Sequence, residues 1–168
     1  MHPVPAGRSH YVGPMYSTRV SQHVKAPRAA VYRALVDADA IARWRVPAGM
    51  SSRVHHFEAR EGGSFRVSLT YDTTEGAGKS TSRTDTYHGR FLKLVPDEQV
   101  IEEFEFETVD PAFRGMMTMT TTLTDADGGT DVLVVHEGLP DSVPAADNET
   151  GTRMALAKLA RFVETGEV

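Results

Sequence analysis

The side chains that could do chemistry in this 168-residue sequence are few, and the pattern around each decides what it can do. His55 and His56 stand side by side in SSRVHHFEAREGGSFRVSLTY (51–71). Adjacent residues on a strand point to opposite faces, so the two cannot close on one ion. Metal-binding pairs need a spacing of two on a strand or four on a helix, and HExxH is absent, so no metal site is expected. His56 shares its face with Val54, and His55 shares the other with Arg53 and Phe57. At most one of them, His56, is expected to look inward. His136, in TDVLVVHEG, shares the apolar face of Val132 and Val134. A histidine there is either hydrogen-bonded within a core or a polar contact in a pocket. His88 is out of phase with Tyr87, Gly89 and Phe91 and is expected in solvent.

Glu102 interrupts the Val100, Phe104, Phe106 face of QVIEEFEFET, while Glu103, Glu105 and Glu107 line the other face. A carboxyl on an apolar face is a candidate acid or base, unless a bulge turns it outward. Gly78-Lys79-Ser80 matches the end of a phosphate-binding loop. However, Thr73 stands where its first glycine belongs, and a strand follows rather than a helix. A hairpin loop suited to a lid or a partner contact is the expectation there. With no G-x-S-x-G elbow and no cysteine, the usual nucleophiles, disulfides and thiolate metal ligands are excluded. No catalytic set is recognisable, and no cofactor is expected.

The elements that must position these residues follow from periodicity. STRVSQHV (17–24) alternates as a first strand, and Pro27 opens a helix carrying Val31, Ala34 and Leu35. Asp37 or Asp39 can cap a second short helix with Ile41 and Trp44, which Pro47 and Gly49 end. From Arg53 to Glu137 the pattern is of strands separated by turns. In SFRVSLTY, Phe65, Val67, Leu69 and Tyr71 share a face, as expected of a sheet wet on one side. TDTYHGRFLKLV pairs with QVIEEFEFET, and GMMTMTTTLT pairs with TDVLVVHEG through the hairpin signal Asp127-Gly128-Gly129. The last segment turns to a period near 3.6, with Thr152, Ala155, Leu156, Leu159, Phe162 and Val163 in one stripe and Gly166 as its cap. A one-sided sheet and one long amphipathic helix must cover each other, an α+β arrangement.

Length suits one domain, at 16–168, after an irregular tail at 1–15 rich in proline and glycine. The net charge of −5, without a basic run, argues against a nucleic-acid partner. No apolar run reaches the roughly 18–20 residues of a membrane span, and the N-terminus has no secretory pattern, so a soluble cytoplasmic protein is expected.

The element order and the words APRAAVYRALVDADAIARW, RVHHFEAREGGSFRVSLTY, TDTYHGRFLKLVPDE, FRGMMTMTTTLTDADGGTDVLVVHEGLP and ADNETGTRMALAKLARFVE together resemble the SRPBCC superfamily. Within it, the resemblance is to the branch similar to the activator of the heat-shock protein 90 ATPase. It spans nearly all of Ser17–Glu164. The resemblance implies a helix-grip (START-like) fold: a curved antiparallel sheet of about six or seven strands wrapped around the long C-terminal helix, with two short helices after the first strand. It also implies an apolar cavity between sheet and helix. The candidates to line it are Trp44 and His56; Phe65, Val67, Leu69 and Tyr71; Tyr87 and Phe91; Glu102 and Phe104; Met117 and Met119; Val134 and His136; and Met154 and Leu156. The expected partner is a small apolar or amphipathic ligand bound without obvious catalysis. A cyclase- or hydrolase-like enzyme using Glu102 and His136, with His56 as a further candidate, and a co-chaperone or protein-interaction domain, are the alternatives. An edge strand or the long helix could support a homodimer.

Overall fold

The computed structural model describes residues 16–72, 84–140 and 142–166. The expected tail at 1–15 and the Gly78-Lys79-Ser80 loop lie outside the described residues. The chain runs β1 (Tyr16–Val24), α1 (Arg28–Leu35), α2 (Ala38–Trp44), β2 (Met50–Phe57), β3 (Ser64–Tyr71), β4 (Thr84–Val95), β5 (Gln99–Phe106), β6 (Met117–Ala126), β7 (Gly129–Leu139) and α3 (Ala145–Thr165). A single turn of 3₁₀ helix at Pro111–Phe113 sits between β5 and β6.

The seven strands form one antiparallel sheet in the order β1-β7-β6-β5-β4-β3-β2. Strands β2 to β7 therefore make an uninterrupted meander, and β1 closes onto β7, beside the last strand rather than the next. Between β6 and β7, Asp127 (φ 45°) and Gly128 (φ 76°) are both left-handed, and Ala126 pairs with Gly129 across them. That two-residue loop has the hand that matches strand twist. On the inner face Gly89 is required for space, because a Cβ there would stand 2.7 Å from Phe104 Cβ and 2.0 Å from the Glu103 carbonyl oxygen.

Two bulges alter the alternation read from the sequence. In β2, Val54 pairs with Val67 and His56 with Arg66, so His55 is an extra residue. Val54 and Phe57 consequently both face the core, and both histidines face out. In β4, Phe91 pairs with Glu102 and Lys93 with Ile101, which leaves Leu92 as the extra residue. Phe91 and Leu94 then both pack inward, and Leu92 is exposed.

The α3 helix, 21 residues long, reaches about 30 Å at 1.5 Å per residue. It buries Leu156, Leu159 and Ala160 on the inner face of the sheet, with Ala155, Phe162 and Val163 packed beside them. Gly166 ends it at φ 80°, its N–H donating to the Phe162 carbonyl at 2.7 Å. Pro27 sits just ahead of α1 as its N-cap, one position earlier than a first-turn proline. Asp37, rather than Asp39, caps α2, accepting from Ala40 N at 2.9 Å. Trp44 at the end of α2 is buried and donates from Nε1 to the Ala34 carbonyl at 2.8 Å, which locks the two short helices together. Phe57, Phe65 and Phe91 pack together on the inner face of the sheet, with ring centroids 5.4 Å apart for Phe57–Phe91 and 5.2 Å for Phe65–Phe91. Among the described residues, no helix is long and apolar enough to cross a membrane.

Candidate functional site

Beyond that aromatic cluster, the sheet and α3 diverge and leave a cavity of about 670 Å³. Leu69, Tyr87, Phe104, Phe106, Met119 and Val134 form its sheet wall. Gly151, Met154, Ala155 and Leu156 face them from α3, and Leu35, Trp44, Val46 and Pro47 close one end. Glycine and alanine on α3 opposite large aromatics explain the gap, since the helix offers little volume where the sheet wall recedes.

One row across the inner face of the sheet carries three polar residues, Glu102, His136 and Thr18. Phe91 on β4 pairs with Glu102 on β5, Glu102 with Met119 on β6, Met119 with His136 on β7, and His136 with Thr18 on β1. All five are buried. Glu102 and His136 thus lie on one face, two strands apart, about 10 Å between backbones at the usual strand spacing. Glu102 is only 2% exposed, and it is not a free carboxyl. Arg45, the residue after Trp44, donates Nη1 and Nη2 to its two oxygens, each at 3.2 Å. The Tyr87 hydroxyl stands beside the same guanidinium, which also lies over the Trp44 ring at 5.1 Å. Burial pushes the Tyr87 phenol above its ordinary value, so it stays protonated. Arg45 is held charged by Glu102 against the cost of its burial.

His136 has no such partner. Its Nδ1 is buried and unpaired, and its ring meets Phe104 edge-on at 6.4 Å. Burial first, and then the Arg45 charge, lower its pKa to about 4, so the ring is neutral near pH 7. At the rim, Lys158 Nζ donates to the Val46 carbonyl at 2.6 Å, and Asp147 and Asn148 stand at the start of α3.

This arrangement of a gripped helix, a one-sided sheet and an apolar cavity can be set against known proteins. The sequence profile of the Activator of Hsp90 ATPase homolog 1-like proteins matches residues 25–164. The chain belongs to this family. It is a branch of the SRPBCC superfamily, in agreement with the resemblance and the α+β helix-grip fold read from the sequence. A crystal structure of a Chromobacterium violaceum protein is 31% identical, with a TM-score of 0.79 over 88% of this chain and 96% of that one. A Staphylococcus epidermidis protein solved by NMR shares the fold at 18% identity and a TM-score of 0.72, over 90% of this chain and 92% of that one. DynU16, from the dynemicin biosynthetic locus, shares it at 22% identity and a TM-score of 0.63, over 90% of this chain and 48% of that one. No curated protein matches the chain.

Set in the fold of this Activator of Hsp90 ATPase homolog 1-like chain, the residues singled out from the sequence divide into three groups. Trp44, Leu69, Tyr87, Phe104, Met119, Val134, His136, Met154 and Leu156 lie on the cavity wall, Met154 at its half-exposed mouth. Phe65, Val67, Phe91 and Met117 are buried but spent on core packing rather than on the cavity, as Glu102 is on Arg45. Tyr71 is half-buried at the end of β3, away from the wall.

His56 is a correction. The bulge at His55 turns it outward, where it is exposed and its Nε2 lies 2.7 Å from Ser64 Oγ. His55 is likewise exposed, 2.8 Å from Ser68 Oγ. His88 faces out as expected and sits between Glu105 and Glu107. Arg45, Thr121 and Gly151 are cavity residues that the sequence reading passed over, and Lys158, which the helical period puts off the apolar stripe, joins them. Only Arg45 left a signal, its place directly after Trp44 at a helix end.

Proposed function

We propose that this chain binds a small apolar or amphipathic molecule in the cavity between the sheet and α3, without catalysing its conversion. The observation that carries the reading is the cavity itself: about 670 Å³ of mainly apolar wall. Its size falls within the range that encloses a drug-sized ligand. Against an acid/base role stands the bidentate hold of Arg45 on Glu102, which ties up the one carboxylate of the inner row.

The chain's single tryptophan, Trp44, is on the cavity wall, so its emission reports occupancy directly. Native mass spectrometry of protein purified from its own host is expected to show a retained small molecule, whose removal shifts Trp44 emission. Protein that arrives bare, and whose emission stays unchanged with every apolar compound offered, would overturn the reading.

A further inference from the structure

We propose that the cavity selects neutral amphiphiles whose polar end is a hydroxyl, and that this hydroxyl seats against His136. The inference rests on the cavity being a ligand site and specifies what enters it.

The charge of Arg45 on the cavity wall is already balanced from behind. Both oxygens of Glu102 engage the Arg45 guanidinium, and the Tyr87 hydroxyl stands beside it. At the rim, Lys158 gives one N–H to the Val46 carbonyl and keeps its charge at the cavity mouth. Past Lys158 at the rim, a carboxylate or phosphate carried inward would have to displace Glu102 from Arg45 or stay buried without a counter-charge, and burying an unpaired ion is costly.

On the wall, one buried polar atom is unpaired. His136 is 8% exposed and lines the cavity, and its buried Nδ1 has no hydrogen-bond partner among the described residues. Buried polar groups in native proteins are nearly always paired, and each exception asks for a partner. A neutral imidazole carries one N–H and one lone pair, so the unpaired Nδ1 is a donor in one tautomer and an acceptor in the other. A hydroxyl both donates and accepts, so it serves either tautomer. A ketone or ether serves one tautomer only, and an ammonium group serves only the lone pair. The ring of Phe104, edge-on to His136, leaves an apolar approach along which the rest of the ligand can lie.

The test uses three bicyclic probes that differ only at the polar end: 2-naphthol, 2-methoxynaphthalene and 2-naphthoate. Each is titrated at neutral pH into the purified chain, by calorimetry and by Trp44 emission. The naphthol is expected to bind about fivefold tighter than the ether, the value of one hydrogen bond between neutral groups. It is expected to bind about tenfold or more tighter than the carboxylate. His136→Leu should erase the naphthol's advantage over the ether, and circular dichroism and a thermal melt show that the variant is folded. His136→Phe serves in its place if the leucine variant does not fold.

The inference is overturned if the naphthoate binds tightest, or if the naphthol keeps its advantage without His136. Equal binding of all three probes also overturns it, though the cavity then still stands as a ligand site. If none of them binds and native mass spectrometry shows bare protein, the ligand-site reading itself fails.

Discussion

Arg45 and Glu102 lie 57 residues apart and meet only in the fold, one at the end of a short helix and the other mid-strand. The Glu102 side chain is 2% exposed and that of Arg45 19%, so neither charge is well solvated once the other is gone. Glu102→Gln should therefore destabilise the chain by about 3–5 kcal/mol in urea unfolding, the usual cost of stranding a buried charge. The joint replacement of Arg45 and Glu102 by Met should recover most of that loss. A Glu102→Gln variant as stable as the parent would show that the pair carries no such weight.

His136 supplies a pH dependence whose sign follows from its neutral folded form. Between its ordinary value of 6.5 and about 4, the unfolded chain binds the proton and the folded chain does not. Stability is thus full above pH 6.5 and falls as pH drops through 4, by at most about 3 kcal/mol. Glu107, held near 2 chiefly by its hydrogen bond from Arg66, acts in a separate window below 4.5. In His136→Leu the slope between pH 6.5 and 4 should flatten while the acid limb below 4.5 persists, and an unchanged slope would remove His136 as its source. At this scale, strand phase alone makes the inward direction of Glu102 and His136 legible. The partner of Glu102 is not legible, because no local pattern ties a strand to a helix end so far away in sequence.

The strands show why alternation was read correctly in β3 and misread in β2. In β3, Phe65, Val67 and Leu69 follow at a spacing of two, and the ladder with β4 is unbroken from Ser64 to Thr70. In β2, Val54 and Phe57 are three apart and both pack inward, which only an extra residue allows. That odd spacing was the available signal, and the same spacing of Phe91 and Leu94 marks the bulge at Leu92.

A deletion test separates the two strands. Removing His55 leaves Val54 and Phe57 on the inner face of a regular strand, so the domain should remain folded, with a change of about 1 kcal/mol or less. Removing Ser68 from β3 sends Leu69 and Tyr71 outward relative to Phe65 and Val67, and should prevent cooperative folding. Denaturant melts followed by circular dichroism distinguish them, and equal damage from both deletions would mean that the bulge at His55 is required rather than tolerated.

For the whole molecule, the architecture was legible because each layer announces its own period, two for the sheet and 3.6 for α3. The cavity was not, because its volume is what remains after Phe57, Phe65 and Phe91 have packed one end of the grip and the small residues of α3 have failed to fill the other. An unfilled space forgoes packing that a ligand or a larger side chain can restore. Leu156 and Ala155 are neighbours on α3 that separate these roles. Leu156 is 2% exposed and fastens the helix, so Leu156→Ala should cost about 2–5 kcal/mol.

Ala155 is half-buried on the cavity wall, and Ala155→Phe places a ring in the open volume. Free Ala155→Phe should melt no lower than the parent, whereas saturating ligand should raise only the parent. At a hundred times Kd the gain is about 2.7 kcal/mol, or a shift in Tm of about 5–10 °C for a domain of this size. If the variant melts well below the parent, the space is already filled by side chains that the added ring displaces. If it still gains the full ligand shift, the ligand sits elsewhere on the protein.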